Sequence, residues 1–150
     1  MLKILLIEDD DNKKKDIIDY LNDTYPDKVD IEIAMSFNSG VRMASKGNYG
    51  LMLVDMTLPK FDKDKGLKER TLHNGGEILI GYLLDLGKET KSIVITQYDN
   101  FKDETLGTID SRLKADCPES YLGAVKYNSS EDGWKVELTN YINNVIYSNS

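Results

Sequence analysis

This chain is short of cysteine and histidine, the residues that staple small folds and carry thiol–imidazole chemistry. Cys117 is the only cysteine among 150 residues, so no internal disulfide can form. One thiol fits a reducing, intracellular setting. No histidine stands near it in sequence, so a catalytic thiol is not indicated. The lone His73 reads as loop polarity. The three prolines, Pro26, Pro59 and Pro118, each stand where a regular element must stop. No stretch approaches the ~18 apolar residues of a membrane span, and Met1-Leu2-Lys3 leads straight into a strand rather than a signal peptide. Basic charge is also outnumbered. With 19 Lys and Arg against 26 Asp and Glu, the net charge is -7, which argues against general nucleic-acid binding. There is no GxxxxGK[ST] loop, internal repeat or low-complexity tract. One soluble cytoplasmic domain, residues 1–150, with a core of its own is the expectation.

What is present is a set of short apolar runs that end in polar residues. Leu51-Met52-Leu53-Val54 suits a strand buried on both faces, and it stops at Asp55. Leu2–Ile7 is a second such run, ending in Glu8-Asp9-Asp10-Asp11. A helix is expected from about 12 to 24, with Ile17, Ile18, Leu21 and Tyr25 on one stripe. Val29–Ile33 alternates, as an edge strand does. Ser36 is placed to cap a helix that ends at Gly47. Lys60–Asn74, with five basic and three acidic residues, has the look of a long loop insertion. Gly75-Gly76 opens a third helix, with Ile78, Leu79, Tyr82, Leu83 and Leu86 expected inward. Ser92–Thr96 is the fourth strand. A helix carrying Phe101, Leu106, Ile109 and Leu113 should follow and end before Pro118. Tyr121–Val125 is the fifth strand, ending at Lys126, and a last helix starts near Ser129–Asp132.

Five strand–helix repeats imply a parallel sheet with helices on both faces. The fold class expected is α/β, a flavodoxin-like (βα)5 doubly wound sheet of strand order 2-1-3-4-5. That order puts the first and third strands side by side, and so Glu8 and Asp9 beside Asp55. Ligands in such sheets collect at the carboxyl ends of the strands. Four of the five strands end there in a residue with site chemistry: Glu8/Asp9, Asp55, Thr96 and Lys126. Each alone has a plain structural role, as helix cap, turn cap or solvated amine. Together, crowded carboxylates call for a cation, and Mg²⁺ is the hard ion that suits oxygen ligands. Three acids, a metal, an amine and a hydroxyl make a site for a phosphoryl group.

Ile4–Asp10, Leu53–Pro59, Ile93–Thr96 and Val125-Lys126 together resemble the receiver domain of two-component response regulators, over nearly the whole chain and in the family's order. The resemblance implies a stand-alone phosphoacceptor switch rather than an enzyme. Asp55 would take a phosphoryl group from a sensor histidine kinase or a histidine phosphotransfer protein. It also implies a metal site of Glu8, Asp9, Asp55 and the backbone carbonyl of Thr57. Thr96 would be the switch hydroxyl, and Lys126 the amine that pairs first with Asp55 and then with the phosphoryl group. Output would be protein contact through the face of the fourth helix, fifth strand and fifth helix, and a phosphorylation-dependent homodimer is compatible with it.

The chain departs from the family pattern in the length of the Lys60–Asn74 stretch and at three single positions. Gln97 replaces a small residue after Thr96, Gly123 stands where an aromatic switch residue is usual, and Tyr127 replaces the proline after the lysine. Those departures keep a second reading open, a phosphorylation-independent module that binds a protein partner. A haloacid-dehalogenase-type hydrolase would need an acid where Thr57 stands.

Overall fold

A computed structural model describes residues 1–62 and 71–148. In chain order the elements are β1 (Leu2–Ile7), α1 (Asp11–Thr24), β2 (Val29–Ala34), α2 (Phe37–Lys46), β3 (Leu51–Val54), β4 (Leu58–Pro59), β5 (Thr71–Leu72), α3 (Gly75–Asp85), β6 (Lys91–Thr96), β7 (Asn100–Phe101), β8 (Glu104–Thr105), α4 (Leu106–Asp116), β9 (Tyr121–Lys126) and α5 (Gly133–Tyr147). The central sheet is parallel, in the order β2-β1-β3-β6-β9. Counted along the chain, that is the expected 2-1-3-4-5, with β2 at one edge. No helix of the described residues is long and apolar enough to cross a membrane.

Successive residues of a strand point to opposite faces, so each strand feeds two cores. Leu5, Ile7, Met52, Val54 and Val94 pack with the inner faces of α2, α3 and α4. Ile4, Leu6, Leu51, Leu53, Ile93, Ile95 and Val125 pack with α1 and α5, around Ile17, Leu21, Trp134, Leu138 and Ile142. β3 is buried along its whole length, which explains why its sequence is apolar without alternation. The helix starts follow from local chemistry. The Asp10 carboxylate accepts from Lys13 N at 2.9 Å, and Ser36 and Ser39 cap α2 reciprocally.

Three expectations need correction. In α3 the residues turned inward are Leu79, Ile80 and Leu83, whereas Ile78, Tyr82 and Leu86 are exposed. The rotation is set at the first turn, where Gly76 lies against the backbone at Asp55; positions three, four and seven residues later share that face. Phe101 is buried, but outside α4. Lys102 takes a left-handed turn (φ 57°), folding Asn100–Phe101 back on Glu104–Thr105, and Thr105 then caps α4 by accepting from Thr108 N at 3.2 Å. The region expected as a bare loop, 60–74, closes instead on a short antiparallel ladder between Leu58–Pro59 and Thr71–Leu72. The rest of that expected insertion, 63–70, lies outside the described residues.

Candidate functional site

The parallel register pairs Ile7 with Val54, so the residues after them leave the sheet together. Asp55 N donates to Ile7 O at 3.1 Å, holding Asp55 beside Glu8. Both carboxyl groups are buried, Glu8 at 0% exposure and Asp55 at 3%. One carboxylate oxygen from each of Glu8, Asp9 and Asp55 lies within 4.8 Å of the others.

Charges this close, out of water, need compensation, and the structure supplies it from an unexpected residue. Lys13, in the first turn of α1, is 1% exposed. Its Nζ lies 2.6 Å from Glu8 Oε1 and 3.2 Å from Asp55 Oδ1. It donates a hydrogen bond to the Ile95 carbonyl at 2.7 Å and sits 5.8 Å from the ring centre of Tyr127. The approach to the two carboxylates is charge-assisted hydrogen bonding, closer at Glu8 than at Asp55. At an effective dielectric of about 20, each such contact is worth on the order of 5 kcal/mol gross, comparable to the several kcal/mol needed to bury each ion. Neither the amine nor the acids would be stable there alone.

Burial pushes Glu8 up to about 7, with the Asp55 charge adding to the rise and Lys13 opposing it. Burial also raises Asp55, again against Lys13, with Asp9 contributing in the same direction as burial. Tyr127, beyond the amine, has its hydroxyl raised by burial and by its hydrogen bond to Asp16, so it stays a donor. Its ring packs on Trp134 with centroids 5.2 Å apart.

The residues expected at the other strand ends are differently engaged. Thr96 is buried and pairs in register with Lys126, and its hydroxyl accepts from Tyr98 N at 3.3 Å. Lys126 does not take the ion pair with Asp55 that the resemblance to receiver domains implied. Its Nζ meets Asp99 Oδ1 at 2.6 Å, with the side chain 41% exposed. Thr57 donates its hydroxyl to the His73 carbonyl at 3.0 Å. Gln97 and Tyr127, with Asp10, Lys13 and Lys126, line an open cavity of about 430 Å³ beside the site.

Lys13 escaped the sequence reading because it opens the run Lys13-Lys14-Lys15, which looks like a solvated face. The signal was there: Lys13 stands four residues before Ile17 and eight before Leu21, on the buried stripe of α1.

The donor set suits a hard divalent cation. Three carboxylates converge, and the Lys13 ammonium approaches two of them, Glu8 and Asp55.

No family model matches the chain. An uncharacterized protein of Sinorhizobium fredii, y4jR, is 26% identical over 145 residues, spanning 93% of this chain and 95% of its own. Among solved structures, a response regulator receiver protein from Pseudoalteromonas atlantica superposes with a TM-score of 0.68 at 14% identity, covering 99% of each chain. This chain has the fold of a response regulator receiver domain. The response regulator TrrA of Thermotoga maritima, solved in complex with Mg²⁺-BeF, shares the receiver fold with a TM-score of 0.61 at 18% identity, over 97% of this chain and 99% of its own. Within the receiver fold, the switch point between β1 and β3 is where Glu8, Asp9 and Asp55 meet.

Proposed function

We propose that the chain is a phosphoacceptor module of two-component signalling, in which Asp55 receives a phosphoryl group from a histidine kinase or histidine phosphotransfer protein. The observation that carries this is the buried Asp55 carboxylate at the end of the middle strand, flanked by two acids and one buried ammonium. A carboxylate capping a turn needs none of that company.

In the proposed reaction an Asp55 carboxylate oxygen forms a bond to phosphorus, and the bond from phosphorus to the donor breaks, its electron pair leaving with the donor. Such transfers have loose, in-line transition states, so the site's task is to position oxygens and offset charge. Glu8, Asp9, Asp55 and the Thr57 carbonyl would hold Mg²⁺, which supplies positive charge against the phosphoryl oxygens. Thr96 can turn its hydroxyl from the Tyr98 amide toward a phosphoryl oxygen. Because Tyr98 begins the segment that leads into the β7–β8 hairpin and α4, that rotation would bias the packing of the α4–β9–α5 face, through which we propose output by protein contact. The module would turn over no metabolite.

Intact mass after incubation with acetyl phosphate and Mg²⁺ tests the reading. The wild-type chain gains one phosphoryl group, and Asp55→Asn gains none. A gain in Asp55→Asn, or none in wild type, sinks it. The Lys13 ammonium also supports a second reading, a phosphorylation-independent binding module in which the buried acids are already partly offset. That reading predicts partner binding unaffected by Asp55→Asn.

A further inference from the structure

We infer that Lys13, and not Lys126, is the cation of the Asp55 site. The inference deepens the phosphoacceptor reading and rests on it for one of its two readouts.

The two lysines differ in where their stems leave the fold. Lys126 follows buried Val125 on β9 and turns out of the sheet to Asp99. Asp99 in turn accepts from Leu106 N at 2.8 Å through its carbonyl, so Lys126 ties down the base of the β7–β8 hairpin. Lys13 rises from the first turn of α1, over the Tyr127 ring, into the space between β1, β3 and β6. Its Nζ meets a group at the carboxyl end of each of those strands: Glu8 after β1, Asp55 after β3 and the Ile95 carbonyl on β6.

An ammonium has three N–H donors. Here one goes to the Ile95 carbonyl at 2.7 Å, which leaves two for Glu8 Oε1 at 2.6 Å and Asp55 Oδ1 at 3.2 Å. The amine therefore offsets both acids at once, and its contact with Asp55 is the longest of the three. A phosphoryl group formed on Asp55 replaces one negative charge with about two near neutral pH. Lys13 can turn the N–H that now faces Asp55 toward a phosphoryl oxygen without leaving the pocket. Lys126 would first have to give up Asp99. Acetyl phosphate is a sufficient donor: the new bond joins Asp55 Oδ to phosphorus, and acetate departs with the electron pair of the broken P–O bond.

Two readouts on the full chain separate the lysines. Trp134, the sole tryptophan, packs at a tilt against Tyr127 and reports the site by fluorescence. In an Mg²⁺ titration, Lys13→Gln should bind the ion at least tenfold tighter than wild type, because a competing cation has gone, with Lys126→Ala within about twofold of wild type. In the acetyl phosphate assay at saturating Mg²⁺, Lys13→Gln should label at least tenfold more slowly, and Lys126→Ala at the wild-type rate. If Lys13→Gln does not fold, ¹⁵N spectra of the lysine amines decide. Wild type should show one slowly exchanging Nζ signal that moves on adding Mg²⁺, is lost in Lys13→Arg and is kept in Lys126→Ala. Wild type failing to label would remove the phosphoacceptor reading, and the Mg²⁺ and ¹⁵N results would then support or overturn Lys13 by themselves. Lys126→Ala reproducing the Mg²⁺ or labelling effect, or erasing the slow signal, overturns the inference.

Discussion

Gly76 lies so close to Asp55 that a β-carbon on it would stand 2.5 Å from the Asp55 carbonyl oxygen and 3.1 Å from Met56 Cα. The same residue donates its N–H to Met56 O at 2.9 Å. The first turn of α3 is thus seated directly on the backbone that presents the Asp55 carboxylate. Both clashing atoms are main chain and cannot rotate aside. Gly76→Ala should therefore cost about 3 kcal/mol in urea unfolding, at the upper end of typical overpacking. It should also slow acetyl phosphate labelling in the fraction that remains folded. Unchanged stability would mean that α3 is not seated as described.

Glu8 gives the pH dependence its sign. Burial pushes this carboxyl up from 4.5 to about 7, so between those values the folded chain keeps a proton that the unfolded chain has lost. Stability from this group is fully present below about pH 4.5 and is lost as pH rises through about 7, on the order of 3 kcal/mol in all. Asp55, raised for the same reason, acts in the same direction. Glu32 and Glu104, held down by Tyr49 and Arg112, act in the opposite sense and below that window. Urea unfolding at pH 5 and pH 8, without divalent cations, should show the wild type weaker at pH 8. Glu8→Gln should flatten the difference. An equal slope in the variant would place the titrating group elsewhere.

Gly123 and Tyr141 answer a question the sequence raised. Gly123 stands where the family resemblance implies an aromatic side chain, and a β-carbon there would lie 2.1 Å from the Tyr141 hydroxyl oxygen and 2.7 Å from Cζ. The space is filled from α5 instead. Gly123→Ala should destabilise the chain by about 2 kcal/mol. In a Tyr141→Ala background the same change should cost clearly less, giving a non-zero coupling in a double-mutant cycle. Strict additivity of the two changes would show that Tyr141 does not limit the site.

The sheet order and the meeting of Glu8, Asp9 and Asp55 could be read from the sequence because they depend on local signals. Apolar runs of strand length, separated by helical stripes, leave little choice of topology once crossovers must be right-handed. Topology then carries any residue just past β1 to the side of any residue just past β3. The Phe101 hairpin was harder, since it turns on one left-handed residue, Lys102, that a helical stripe conceals. The inward face of α3 was hidden for a different reason: a helix apolar on several sides can rotate, and only its docking on Asp55 chose the face.

The amine at Asp55 marks the limit most sharply. The sequence by itself determined that carboxylates would crowd at one edge of the sheet and that a positive charge had to meet them. It offered Lys126, at the end of a strand, and left Lys13 inside a run of three lysines. The tertiary structure decided between them, because an ion pair depends on where a flexible four-carbon stem can carry its charge. Lys126 is carried out to Asp99, while the packing of α1 on the sheet draws Lys13 in over Tyr127 to Glu8 and Asp55.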